Sequence, residues 1–298
     1  MDETLTRKEF DVLAALAEEQ EPLSQRKVSE LSGYSLTTTN RILKDLAEKG
    51  LVQNGSISQK GFTALEPYRV KRAVFIAAGF GSRLVPVTLN TPKPLVRVNG
   101  KRIIDGLLDA CLAAGINEIY IVRGYLAEQF ELLKMKYPTV QFLENPLYNE
   151  ANNISSALVA RFLLKNAYVF EADLLLSNSA IIKKYHYTSD FMGIPMERSD
   201  DWCFDVRNGE IVEQRIGGTN CHQMVGISYW NAEDGAHLAE DIAEAYALPG
   251  GKELYWEQVA LKIFKDRYHV GIQEVAEGDI VEIDTFRELK AIDKTYDV

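Results

Sequence analysis

The sequence predicts an α/β fold, a mixed but mainly parallel sheet with covering helices, preceded by a small helical domain that ends in a hairpin. Three observations predict it. Apolar residues in the first part of the chain recur at helical spacing. After Glu66-Pro67, β-branched runs alternate with helical segments, the pattern of βαβ units around a parallel sheet. From Trp202 onward, hairpin-like strands mix with helices and add antiparallel members. The expected domains are residues 1–68 and 69–298.

The first element, FDVLAALAEEQ, places Phe10, Leu13, Ala14 and Leu16 on one helical face. Ser24 is suited to cap a short helix carrying Val28 and Leu31, which Gly33 breaks. Ser35 caps the next helix, whose stripe is Ile42, Leu43 and Leu46, and Gly50 ends it. Asn54-Gly55 then favours a tight hairpin turn. Over residues 4–66 this order resembles a winged helix-turn-helix domain of the bacterial regulator type. The resemblance implies that the helix from Ser35 to Lys49 enters a DNA major groove, with Thr37, Thr38, Asn40, Arg41 and Lys44 as its polar contacts. Residues 1–69 hold nine Lys/Arg against eleven Asp/Glu, a net of −2, which weakens phosphate attraction. DNA binding through residues 35–60 therefore stands beside dimerisation or regulatory docking.

In the larger domain the strand AVFIAA runs into the loop GFGSRLVPVTLNTPKPL. Gly79 and Gly81 allow close backbone approach and turn N–H groups toward phosphate oxygens. Arg83 and Lys93 add two cations suited to a triphosphate, and Pro86, Pro92 and Pro94 stiffen the connection. The loop is neither GxGxxG nor Walker A. The whole string, AAGFGSRLVPVTLNTPKPL, resembles the signature of the sugar-phosphate and phosphocholine nucleotidyltransferase superfamily. That implies a Rossmann-like nucleotidyltransferase domain in which Ala77, Ala78, Gly79 and Gly81 hold base and phosphates. Ser82 and Arg83 then lie near the β- and γ-phosphates, and Lys93 neutralises the α-phosphate. Val85 departs from the polar or basic residue common at its position.

Two aspartates complete the chemistry. Asp173 ends the strand AYVFEAD, where ligands bind in open α/β sheets, and Asp284 lies in DIVEIDTFRELKAI before a terminal helix. Either alone is equally a helix cap. In the family resembled, an Asp in a string like EAD and another in a string like EID share one Mg²⁺ with the triphosphate. This implies Asp173 and Asp284 as metal ligands, with Arg83, Lys93 and Asp173 as the catalytic set. The reaction implied is in-line attack of a substrate phosphate oxygen on the α-phosphorus.

All three tryptophans lie in the C-terminal half: Trp202 in DDWCFDV, Trp230 in GISYW and Trp256 in ELYWEQ. Aromatic faces bind quaternary ammonium groups, and Asp201, Glu253 and Glu282 add negative charge nearby. Alternation places Tyr229 and Trp230 on opposite faces of a strand, so at most one faces a pocket. The ordered strings TPKPL, NEANNISSAL, EAD, DDW, GISYW, ELYWEQ and VEID look like the bacterial choline-phosphate cytidylyltransferases of the LicC type, over residues 70–298. The resemblance implies CTP and phosphocholine as substrates, with Trp202, Trp230, Tyr255 and Glu282 around the headgroup and Tyr125 and Asn152 at the cytosine. Phosphoethanolamine, 2-aminoethylphosphonate or a sugar-1-phosphate remain alternative acceptors, and a ligand-sensing DNA-binding regulator is an alternative of another class.

The net charge of −10 argues against a global preference for nucleic acid or anionic membranes. Cys111, Cys203 and Cys221 form no CxxC pair, and the four histidines show no metal-ligand spacing. The N-terminal stretch MDETLTRKEF is not a secretory signal, and no apolar run reaches membrane length. A cytoplasmic protein with no membrane partner is expected, and oligomerisation is left open.

Overall fold

The structure, a computed structural model, describes residues 4–19 and 21–297, so the outermost ends of the two expected domains lie outside it. The chain divides into two compact units. The first comprises the residues up to Arg69 together with Tyr185–Tyr187. The second comprises Val70–Lys184 and the chain from Thr188 onward.

In the first unit, α1 (Arg7–Ala17) starts in a capping box between Thr6 and Glu9. Helix α2 (Gln25–Ser32) is capped by the Ser24 hydroxyl and closed by Gly33 in the left-handed conformation. Helix α3 (Leu36–Glu48) is capped by Ser35. Strands β1 (Val52–Gln53) and β2 (Ser56–Ile57) form the expected hairpin, with positive φ at both Asn54 and Gly55. A further helix, α4 (Gln59–Leu65), follows. Phe10, Leu13, Leu16, Val28, Ile42 and Leu46 meet in one core. Leu31, expected inside, is 46% exposed, because the two turns of α2 turn only Val28 fully inward. Tyr185 is buried in this core, and the Tyr187 ring stacks on Tyr68 at 5.5 Å with Phe10 against both.

The second unit is built on a seven-stranded sheet. Its strands are β3 (Arg72–Ile76), β6 (Glu118–Arg123), β7 (Val140–Glu144), β8 (Ala167–Glu171), β10 (Asp190–Arg207), β11 (Glu210–Trp230) and β12 (Gly271–Glu274). The order is β10-β12-β11-β8-β3-β6-β7. Strands β7, β6, β3 and β8 are parallel, whereas β11 joins β8 antiparallel, so the expected mixed, mainly parallel sheet is present. Strands β4 (Arg97–Val98) and β5 (Lys101–Arg102) form a small hairpin, and β9 (Leu174–Leu176) pairs with β13 (Ile280–Glu282) beside the main sheet.

Both sheet faces are covered, which explains the near-continuous apolar runs of the central strands. On one side, Phe75, Ile121, Phe170 and Tyr229 pack with Ile104, Leu107 and Leu108 of α5 (Ile103–Ala113). On the other, Val74, Val122, Val169 and Trp230 pack with α6 (Ile154–Ala160) and α7 (Ala232–Ala247). The last helix, α8 (Phe286–Ile292), buries Leu289 against Leu84, Val96 and Ile283. No helix among the described residues is long and apolar enough to cross a membrane.

Candidate active site

The carboxyl ends of β3 and β8 lie side by side, with Ile76 opposite Glu171 in parallel register. A crevice at such an edge is where open α/β sheets hold ligands. Here it is a cavity of about 580 Å³. Its walls include Ala77, Gly79, Gly81, Ser82, Arg83 and Lys93 from the loop after β3, and Glu171 and Asp173 after β8.

The loop is held by its own short turns. Gly81 has φ +61, which only a residue without Cβ adopts cheaply, and a Cβ there would come within 2.9 Å of the Lys93 side chain. Glycine at this position therefore lets the loop fold onto Lys93. At Gly79 a Cβ would meet no protein atom within 4 Å, so the fold itself does not require glycine there. The Thr88 hydroxyl donates to the Gly81 carbonyl at 2.8 Å, and the Tyr125 hydroxyl donates to the carbonyls of Thr88 and Leu89.

Charge is concentrated at the loop's far end. Buried Lys93 donates to Asp173 at 2.7 Å and to Asp284 at 3.1 Å, and Arg83 pairs with Asp284 at 2.6 Å. Burial by itself lowers the pKa of Lys93, but the two aspartates outweigh it and hold the ammonium above its ordinary value. Burial likewise opposes ionisation of Asp284, yet Glu282, Lys93 and Arg83 together hold its carboxyl below its usual value. Helix-capping roles for both aspartates are set aside. Asp173 follows a strand and precedes β9, and α8 is capped by Thr285.

The antiparallel pairing of β13 with β9 sets Glu282 opposite Leu174, and the Ile283 amide donates to the Asp173 carbonyl. One carboxylate oxygen from each of Glu171, Asp173 and Glu282 lies within 4.8 Å of the others. Buried Oδ1 of Asp173 has no hydrogen-bond partner. A trio of hard oxygen donors with one unsatisfied oxygen fits a divalent cation such as Mg²⁺. Asp284 stands outside this trio, its oxygens engaged by Lys93 and Arg83. Withdrawal from water, then Asp173 and Asp284, pushes the Glu282 carboxyl up to about 8. Glu171 is raised well above its ordinary value by burial first, then by Asp173, Glu257 and Glu282.

Another part of the lining is aromatic and acidic. A register shift in the β10–β11 hairpin between Ser199 and Trp202 brings Trp202 to the cavity. Its ring meets that of Tyr255 edge to face, with centroids 5.8 Å apart. Tyr255 sits on a segment tied to the start of α6. The Asn152 amide group donates to the Glu253 carbonyl, the Asn152 backbone N–H donates to the Lys252 carbonyl, and the Trp256 N–H donates to Asn153 Oδ1. Glu257, on the same segment, is 2% exposed and pushed up to about 7 by burial.

Most of the expected residues therefore share one cavity. Three of them, Ala78, Tyr125 and Trp230, do not line it. Trp230, expected at the headgroup, is wholly buried among Phe191, Trp256 and Tyr268, with its indole N–H donated to Ser228. The sheet is covered on both faces, so alternation carried Trp230 into one core and Tyr229 into the other, and neither is a wall residue. Tyr125, expected at the base, instead staples the loop, and the Ala78 carbonyl accepts from the Tyr125 backbone N–H. Asn152 lines the cavity, but its side-chain amide N–H is directed to a backbone carbonyl.

Glu171 and Glu257 escaped the sequence reading. Strand period offered a signal for the first, because residues two apart point to the same side, and Glu171 precedes Asp173 by two. Gly226 makes its room, since a Cβ there would lie 2.4 Å from the Glu171 carboxylate.

Residues 72–192 match the family described as Nucleotidyl transferase, and residues 7–55 match the IclR helix-turn-helix domain. The chain is 38% identical over 228 residues to a 2-aminoethylphosphonate cytidylyltransferase of Lancefieldella rimae, an alignment spanning 75% of this chain and 92% of that one. It is 31% identical over 224 residues to the choline-phosphate cytidylyltransferase of Streptococcus pneumoniae, spanning 75% and 97%. The solved structure of the CTP:phosphocholine cytidylyltransferase from Streptococcus pneumoniae superposes with a TM-score of 0.70 at 30% identity, covering 76% of this chain and 99% of that one. With the loop, its two cations and the strand-end carboxylates in one cavity, the chain belongs to the nucleotidyltransferase family and is an enzyme of that class.

Proposed function

We propose that the enzyme is a cytidylyltransferase that joins the CMP moiety of CTP to a small substrate bearing a phosphate or phosphonate at one end and a cationic nitrogen at the other. The observation that carries this reading is the composition of the cavity. Two cations and metal-type carboxylates share it with an aromatic and acidic set, Trp202, Tyr255, Asp201 and Glu257. The similarity to relatives named as cytidylyltransferases supports CTP.

In this reading Ala77, Gly79, Gly81 and Ser82 follow the nucleotide, and Arg83 and Lys93 neutralise the triphosphate. An oxygen of the substrate phosphate or phosphonate attacks the α-phosphorus. A new O–P bond forms while the bond to pyrophosphate breaks in line. The attacking oxyanion is already deprotonated near neutral pH, so no strong base is required. Asp173, with Asp284 or with Glu171 and Glu282, would hold Mg²⁺, which when bound supplies Lewis-acid stabilisation of the developing charge. Lys93 and Arg83 exchange their aspartate partners for phosphate oxygens, so the cations are aimed before the substrate arrives.

Two acceptors fit. The edge-to-face pair of Trp202 and Tyr255 favours the trimethylammonium of phosphocholine. The carboxylates beside it, and the relative from Lancefieldella rimae, favour 2-aminoethylphosphonate. A sugar-1-phosphate fits poorly, because among the described residues the side-chain amides lining the cavity are Asn152 and Asn153, both already bonded within the chain. The test is pyrophosphate release with each of four nucleotides crossed with phosphocholine, phosphoethanolamine, 2-aminoethylphosphonate and glucose-1-phosphate. CTP with an amine-bearing acceptor should turn over. Turnover confined to glucose-1-phosphate or to another nucleotide would overturn the proposal.

For the first unit, the match to the IclR helix-turn-helix domain favours a second reading, DNA contact through exposed Thr37, Arg41 and Lys44 of α3. Binding of a labelled duplex that weakens steeply with salt supports it, and salt-independent or absent binding refutes it.

A further inference from the structure

We propose that Glu257 is a specificity-determining residue that selects a substrate whose nitrogen carries hydrogens, so that the site takes a primary ammonium in preference to a trimethylammonium. The inference rests on the reading of the cavity as the acceptor site of a cytidylyltransferase.

Glu257 lines the cavity while being 2% exposed. Oε2 of Glu257 is buried and has no hydrogen-bond partner. The carboxyl is not loosely placed. Asn153 accepts the Trp256 backbone N–H at 2.8 Å, fixing the residue immediately before Glu257. Among the described residues, the only cations lining the cavity are Arg83 and Lys93, and both are held by Asp173 and Asp284. A buried acceptor without a donor is costly, and a ligand that supplies the missing donor recovers that cost on binding.

The candidate acceptors differ in this one respect. A primary ammonium carries three N–H donors on a compact cation. A trimethylammonium carries the same charge and no donor, and its methyl groups shield the charge from a carboxylate. The faces of Trp202 and Tyr255 attract either cation through their ring quadrupoles and so do not tell them apart. Oε2 of Glu257 does, because it is satisfied by one and left unsatisfied by the other. Sites built to hydrogen-bond a substrate reject analogues lacking the donor more strongly than apolar pockets reject a change of size.

The experiment uses the full chain with CTP and the series phosphoethanolamine, its N-methyl and N,N-dimethyl derivatives, and phosphocholine. The phosphate and the charge stay constant while N–H donors fall from three to none. In the wild-type enzyme kcat/KM should fall along the series, by at least about tenfold from first to last. Glu257→Gln should lose about tenfold or more on phosphoethanolamine, change phosphocholine by less than about threefold, and leave KM for CTP unchanged. A wild-type kcat/KM that is flat or rises with methylation overturns the inference, and that measurement stands even if the variant does not fold. Equal losses on both acceptors in Glu257→Gln also overturn it, by reducing Glu257 to a structural role. Absence of turnover with every amine would instead bring down the cytidylyltransferase reading, and this inference with it.

Discussion

The ammonium of Lys93 lies 2.7 Å from Oδ2 of Asp173, across eighty residues of sequence. The loop after β3 and the end of β8 are thereby joined at the point where triphosphate and metal are expected. The remaining oxygen of Asp173 is buried and unpartnered, so the residue holds a cation with one oxygen and has the other to offer.

Asp173→Asn removes that offer while keeping the shape of the side chain. Magnesium-dependent pyrophosphate release should fall by at least about a thousandfold. The circular dichroism spectrum should be unchanged. A rate within about tenfold of wild type would remove Asp173 from the metal site.

Trp202 and Trp230 should behave oppositely. Trp202→Ala opens one wall of the cavity, so KM for the amine-bearing acceptor should rise by about tenfold or more with little change in KM for CTP. Trp230→Ala empties a fully buried site and should cost about 3–5 kcal/mol of stability. Its kinetic constants at low temperature should be near wild type. A selective acceptor defect in Trp230→Ala, measured on folded protein, would contradict its place in the core.

Tyr125→Phe takes away one hydroxyl that bonds two loop carbonyls, at 2.9 and 3.2 Å. The loop loses a staple without losing a ring, so KM for CTP should increase by about three- to tenfold while the melting temperature barely moves. An unchanged KM would mean that the loop keeps its shape unaided.

Glu257 also links stability to pH. Its carboxyl is pushed from the usual 4.5 up to about 7, chiefly by burial. Between those values the folded protein holds a proton that the unfolded chain has released. Stability therefore declines as pH rises through this window, with the full penalty in place above it. The ligand-free melting temperature of wild type should drop relative to Glu257→Gln between about pH 5 and about pH 8. A gap that stays constant or closes in the other direction would show that Glu257 is ionised throughout.

Local features of this fold were legible in the sequence because they depend on neighbouring residues. Ser24, Ser35 and Asn54-Gly55 cap helices or turn the chain as their chemistry requires. The position of the loop after β3 and of Asp173 after β8 was legible too, since both follow strands that alternation already marks. Tertiary context decided the rest. Tyr229 and Trp230 look alike in a strand, and only the second layer of helices shows that neither meets the cavity. Glu171 and Glu257 were missed because it is the fold that draws them out of water. Tyr125 resembles a base-binding ring, but the carbonyls that receive its hydroxyl lie 36 and 37 residues away.

The return of Tyr185–Tyr187 into the first unit limits how this protein can be dissected. The unit is discontinuous, so it is not a cassette that a cut after residue 68 would remove cleanly. A fragment beginning at Val70 would carry the rings of Tyr185 and Tyr187 without the residues that bury and stack on them, and a fragment ending at Arg69 would lack part of its own interior. Either piece would be prone to self-association. The contributions of the two units are better separated by point substitutions in the intact chain than by truncation.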